Sequence, residues 1–140
     1  MIEKKLMQGK FFIDSNICLY LFDKDKEKAG IAEKLFINGA VISTQVLAEI
    51  TNVLVKKFTF SKKDAVETIR FIKNKVDVQP VTSEVIEIAS GIFIRYGFSF
   101  FDSMIIASAL NAGCSILYTE DLHAKQVFDK KLTVINPFVK

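Results

Sequence analysis

The stretch Lys10-Phe11-Phe12-Ile13-Asp14-Ser15-Asn16 decides how this chain is read. Phe11, Phe12 and Ile13 form a short continuous apolar run, the pattern of a strand covered on both faces. The run stops at Asp14, and polar Ser15 and Asn16 lead into a second apolar stretch, Ile17 to Phe22. In open parallel α/β sheets, ligands gather just outside the carboxyl ends of the strands. Asp14 is therefore a candidate site residue. The competing explanation is that Asp14 or Ser15 only caps the helix that follows.

Beyond this stretch, helical and extended patterns alternate. Lys26 to Ile37 carries Ala29, Ala32, Leu35 and Phe36 at helical spacing, and Asn38-Gly39 closes it as a helix C-terminus. Ala40, Val41 and Ile42 form a second strand, after which Ser43 or Thr44 opens a helix to about Lys57. Ser61 and Asp64 make a capping-box-like start for a helix to about Lys75. Val76, Val78 and Val81 alternate with polar residues in a strand that Pro80 ends or confines to an edge. Ser83 to Tyr96, ended by Gly97, and Ser99 to Ala112, ended by Gly113, are helical, the second apolar nearly all round. Ser115 to Tyr118 is a fourth strand, Leu122 to Phe128 a short helix, and Leu132 to Ile135 a last strand before Pro137. The alternation predicts an α/β fold, a three-layer α/β/α sandwich on a parallel sheet of about five strands.

At 140 residues, with half of them hydrophobic and a quarter charged, the chain reads as one domain, 1–140, with a single substantial core. Its apolar segments are too short or too often broken by charge to span a bilayer. Near the N-terminus, Lys4 and Lys5 are followed by no apolar run of leader length, because Gln8, Gly9 and Lys10 interrupt it. Cys18 and Cys114 sit in apolar runs and read as buried free thiols. A cytoplasmic protein is expected. The net charge of +3 is too small to imply nucleic acid by itself. It means more if several acids share one site, because the remaining surface, with pairs such as Lys56-Lys57 and Lys62-Lys63, is then distinctly basic.

Three further carboxylates join Asp14 as candidates. Glu49 falls on the inward stripe of Val46, Ile50 and Val53, where it must be satisfied by a partner or turn outward to Lys56 or Lys57. Asp102 follows Ser99 by three residues in a capping-box pattern among Phe98, Phe100, Phe101, Met104 and Ile105. Asp121, with Thr119 and Glu120, follows the strand ending at Tyr118 as Asp14 follows the first. Thr119 or Asp121 as a plain N-cap is the alternative there. Gathered on one rim, four carboxylates would repel one another and raise their pKa values unless a cation neutralised them. Oxygen-only donors suit Mg²⁺ or Mn²⁺ rather than zinc. His123, the only histidine, reads as an exposed helix residue, so chemistry that needs a histidine has no members here.

Phe-Ile-Asp-Ser-Asn at 12–16, Val-Leu-Ala-Glu-Ile at 46–50, Phe-Ser-Phe-Phe-Asp-Ser-Met-Ile-Ile-Ala-Ser-Ala at 98–109 and Leu-Tyr-Thr-Glu-Asp-Leu at 117–122 resemble the successive motifs of the PIN-domain family. The resemblance is closest to the VapC-type toxins and covers essentially the whole chain. It implies a Mg²⁺- or Mn²⁺-dependent endoribonuclease, the toxin of a toxin–antitoxin module, acting on RNA to leave a 3′-hydroxyl and a 5′-phosphate. It implies Asp14, Glu49, Asp102 and Asp121 as the catalytic and metal-binding quartet, with Ser15, Asn16 and Thr119 in support. Glu120 is left as supporting or solvent-facing, and Phe101 stands where many relatives have Trp. A homodimer and a tight-binding antitoxin are implied too, with the first helices around Leu19 to Phe22 as one place for the antitoxin groove. The alternatives are an RNA-processing nuclease without an antitoxin, a phospho-receiver-like switch, and a non-catalytic RNA-binding module. The receiver is disfavoured because no second acid adjoins Asp14 and the Val76–Val81 segment ends without an Asp.

Overall fold

Phe11–Ile13 is a strand, β1, in the middle of the sheet, with Phe12 and Ile13 wholly buried, as an apolar run covered on both faces requires. The computed structural model describes residues 9–139. Lys4, Lys5 and Gln8, which bear on the leader question, lie outside the described residues. After β1 come a short helix α1 (Ser15–Cys18), extended by one 3₁₀ turn (Leu19–Phe22), and helix α2 (Lys26–Ile37). Strand β2 (Val41–Ser43) leads into α3 (Thr44–Lys56) and α4 (Lys62–Lys73), then β3 (Asp77–Gln79) into α5 (Ser83–Tyr96) and α6 (Phe100–Asn111). Strands β4 (Ile116–Tyr118), β5 (Val127–Phe128) and β6 (Leu132–Ile135) complete the chain.

The sheet order is β3-β2-β1-β4-β6-β5. All neighbouring pairs are parallel except β5–β6, which is antiparallel. The chain runs outward from β1 to β2 and β3, then returns to place β4 on the opposite side of β1. The crevice at the carboxyl ends of β1 and β4 is thus the topological switch point, where such folds bind ligands. Register reinforces this: Ile13 pairs with Tyr118, and the Asp14 N–H donates to the Tyr118 carbonyl at 3.0 Å. The residues that follow the two strands therefore start side by side.

Helix α6 explains its own sequence. It has no polar face, and Ser103 to Ala109 are buried without interruption, the signature of a helix enclosed on all sides. It packs against α5, β2 and β4. Its start is set by Ser99, whose Oγ accepts the Asp102 N–H at 3.1 Å. Ser99→Ala should cost about 1 kcal/mol, read as a lower urea midpoint at unchanged m-value. No loss would show that packing alone holds the start of α6.

One element departs from the sequence expectation. Leu122 to Phe128 is not a helix: it turns at His123–Gln126 and then forms β5, so among the described residues the sheet has six strands, against about five expected. Asp129 and Lys130 carry positive φ values of 51° and 56°, and the Lys131 N–H donates to the Phe128 carbonyl at 3.0 Å. That is the hairpin geometry whose twist matches antiparallel strands. It was hidden because neither central residue is glycine. His123 is exposed as expected, but in the turn rather than on a helix.

Candidate active site

Asp14 is buried, with 5 % of its surface exposed, beyond the end of β1. Its Oδ1 accepts the Ser15 N–H at 2.7 Å, so it does cap α1. Its Oδ2 accepts the Thr119 hydroxyl at 2.8 Å and lies 3.5 Å from Asn16 Nδ2. Burial pushes its pKa up from 3.8 to about 7. The hydrogen bonds from Thr119 and from the Ser15 backbone oppose that rise, and the charges of Glu49 and Asp121 add to it. Capping does not exclude a site role, because the cap leaves a desolvated carboxylate on which the charges of two other acids act.

Glu49 is held by a residue of the opening motif. Val46, Ile50 and Leu54 bury one face of α3, and half-buried Glu49 sits at its edge. There its Oε1 accepts the Ser15 hydroxyl at 3.0 Å. Ser15 Oγ is also 3.4 Å from Asp14 Oδ1, so one hydroxyl links the two carboxylates. Asp102 is half-buried in the first turn of α6. Burial raises its pKa, the Ser99 side chain opposes this, and the charge of Asp121 adds to it. Asp121 is exposed, and its N–H donates to Thr119 Oγ1 at 3.1 Å. Electrostatically the four acids form a chain: Glu49 and Asp121 act on Asp14, and Asp121 on Asp102. They are not drawn into one ready-made ion site. Among the described residues, no three acidic, histidine or cysteine side chains stand close enough to hold an ion. The donor chemistry is nevertheless that of a hard cation, since the groups around Asp14 offer carboxylate and hydroxyl oxygens.

Asn16 and Thr119 join the two strand ends. Asn16 Nδ2 donates to Thr119 Oγ1 at 3.1 Å, and Asn16 Oδ1 accepts the Glu120 N–H at 3.3 Å. Glu120, unplaced by the sequence, accepts the Tyr20 hydroxyl at 2.8 Å on Oε1, which pushes the Tyr20 pKa up to about 12. Tyr20 was not among the expected residues. The available signal is its spacing: it follows Asn16 by four, so both sit on one helical face. Phe101 is 65 % exposed. Its carbonyl accepts from Gln45 Nε2 at 3.2 Å.

The family model described as the PIN domain matches residues 11–129, the span that carries all four acids. The chain belongs to the PIN-domain family. Among solved structures, this PIN domain is similar to VapC20 of Mycobacterium tuberculosis, described as a sarcin–ricin-loop-cleaving toxin. The TM-score is 0.64 at 22% identity, covering 80% of this chain and 90% of that one. It is also similar to a chain of a toxin–antitoxin complex from Klebsiella pneumoniae, with TM-score 0.68 at 19% identity, covering 92% and 98%. A DNA-bound VapBC from Salmonella typhimurium gives TM-score 0.68 at 18% identity, covering 90% and 96%. At these identities the likeness is one of fold. No match was found among curated proteins. Membership of the family sets aside the receiver-like alternative.

Proposed function

We propose that this PIN domain is a Mg²⁺- or Mn²⁺-dependent endoribonuclease acting in the cytoplasm as the toxin of a toxin–antitoxin module, with Asp14, Glu49, Asp102 and Asp121 as its catalytic and metal-binding residues. The observation that carries it is the Asp14 carboxylate: buried, acted on by the charges of Glu49 and Asp121, and hydrogen-bonded only to neutral groups. A buried anion of this kind is stable only when protonated or matched by a cation. Asp14, Asp102 and Asp121, with Glu49, would hold that cation. When bound, it would offset the charge of the rim and act as a Lewis acid toward an RNA phosphodiester. Glu49, steadied by Ser15 Oγ, would orient a water in line with the phosphorus and take its proton at a carboxylate oxygen, while the P–O3′ bond breaks and the departing 3′-oxygen takes up a proton from solvent. Thr119 and Asn16 hold Asp14 Oδ2 in place while this happens.

Two surfaces support the partners this reading requires. An apolar cleft of about 560 Å³ between Leu21, Phe36, Ile37, Phe71 and Ile72 suits an antitoxin segment, and it takes in part of the 19–22 turn. Phe71 and Ile37 are exposed at 64 % and 75 %. Phe93 and Ile94 on α5 and Phe101 on α6 are further exposed apolar side chains that a homodimer would cover.

The direct test incubates the intact chain with single-stranded RNA. Cleavage should require Mg²⁺ or Mn²⁺, stop with a chelator, and leave 5′-phosphate ends. Cleavage that survives metal removal, or none with either ion, would end the proposal.

A further inference from the structure

Beside the acid rim, and sharing Asn16 with it, lies a second cleft of about 230 Å³ whose walls include Tyr20, Asp23, Lys57, Phe58 and Glu120. We propose that this cleft takes the nucleobase next to the phosphate at the rim, and that it selects guanine. The proposal rests on the ribonuclease reading above.

The cleft is smaller than the roughly 300–1,000 Å³ of sites that enclose drug-sized ligands. It has room for one planar group. Single-stranded RNA is read by stacking unpaired bases on aromatic side chains and bonding their Watson–Crick edges. Both rings here are held by neighbours: Tyr20 meets Phe138 edge-on at 4.6 Å and has Lys28 Nζ 5.1 Å from its ring centre, and Phe58 meets Phe22 at 6.3 Å.

Glu120 supplies the selectivity. The Tyr20 hydroxyl fixes one end of its side chain and Asn16 Oδ1 fixes its backbone, so the carboxylate is held in the cleft rather than free in solvent. An ionised carboxylate only accepts hydrogen bonds. Guanine alone presents two adjacent donors on its Watson–Crick edge, N1–H and the N2 amino group. Adenine and cytosine present a single amino group there, and uracil a single imide N–H. Asp23 and Glu120 outnumber Lys57 among the charged lining groups, which disfavours a phosphate as the occupant and favours a donor-rich one. Lys57 is then left to meet the phosphate of the neighbouring nucleotide.

The test is fluorescence anisotropy of the full chain, in chelator, with labelled single-stranded RNA tetramers that differ at one base. The guanine tetramer should bind roughly tenfold tighter than the other three. Glu120→Gln should shrink that preference to about twofold, because the amide retains only one acceptor oxygen. Lys57→Gln, at an exposed position, should weaken all four alike and leave the preference standing. Equal binding of the four bases, or a preference untouched by Glu120→Gln, overturns the proposal. So does saturable binding of an arginine-rich peptide with no base preference, which would assign the cleft to a protein partner. With Mg²⁺ or Mn²⁺ restored, the two readings separate. Guanine preference without cleavage retires the nuclease alone, whereas cleavage with unselected flanking bases retires the base pocket alone.

Discussion

Asp14→Asn should lower RNA cleavage by at least about a hundredfold while leaving the fold intact. The substitution nearly preserves volume, and an amide oxygen can still accept the Ser15 N–H that now caps α1 at 2.7 Å. The Thr119 hydroxyl, which now donates to Oδ2, already accepts from Asn16 Nδ2 and from the Asp121 N–H, so it loses this acceptor, at a cost of about 1–3 kcal/mol. What disappears is one negative charge at the most buried of the four acids, the one on which Glu49 and Asp121 both act. The measurement is single-turnover cleavage of a fixed RNA beside far-UV circular dichroism. A variant that cuts within threefold of the parent chain would remove Asp14 from the site. A variant that fails to fold would mean that the charge itself, rather than the shape of the side chain, holds the β1–α1 junction.

Metal affinity and metal-free stability should move in opposite directions with pH, both through Asp14. Its carboxyl titrates at about 7 when folded, against the ordinary 3.8, because burial disfavours the anion. The folded chain thus keeps a proton between those values that the unfolded chain has lost. The stability this group contributes is fully present below about pH 4 and lost as pH rises through about 7. The loss should be on the order of a few kcal/mol. In chelator, the parent chain should therefore fall in stability relative to Asp14→Asn as the buffer goes from pH 5 to pH 8, read from paired urea melts. Divalent metal needs the ionised carboxylate, so its affinity should drop roughly tenfold per unit below pH 7. Added Mn²⁺ should then raise the parent's melting temperature at pH 8 and hardly at pH 5. Melts that stay parallel from pH 5 to pH 8 would show that Asp14 stays ionised without help.

Local chemistry was legible wherever short-range pattern and burial agree. The apolar run before Asp14 is the central strand, and Ser61 and Ser99 cap helices at the positions their spacing requires. The stretch after Ser99, apolar nearly all round, is the enclosed helix its lack of a polar face implies. The β5 hairpin was not legible, because Asp129-Lys130 adopts left-handed φ without glycine to mark it. Its short strand is held by pairing with β6 rather than by its own pattern.

The sequence by itself determined which residues could carry charge at strand ends, because a period of apolar positions shows where a strand stops whatever surrounds it. Only the tertiary structure decided that Ser15, not Lys56 or Lys57, satisfies Glu49, and that Tyr20 takes hold of Glu120. Those partners are 34 and 100 residues apart along the chain. Nothing in local propensity links them. Ser15 and Glu49 meet because β2, which leads into α3, lies beside β1. Tyr20 and Glu120 meet because β4 crosses back to lie against the other side of β1, where Asp14 is buried deeply enough to shift its proton.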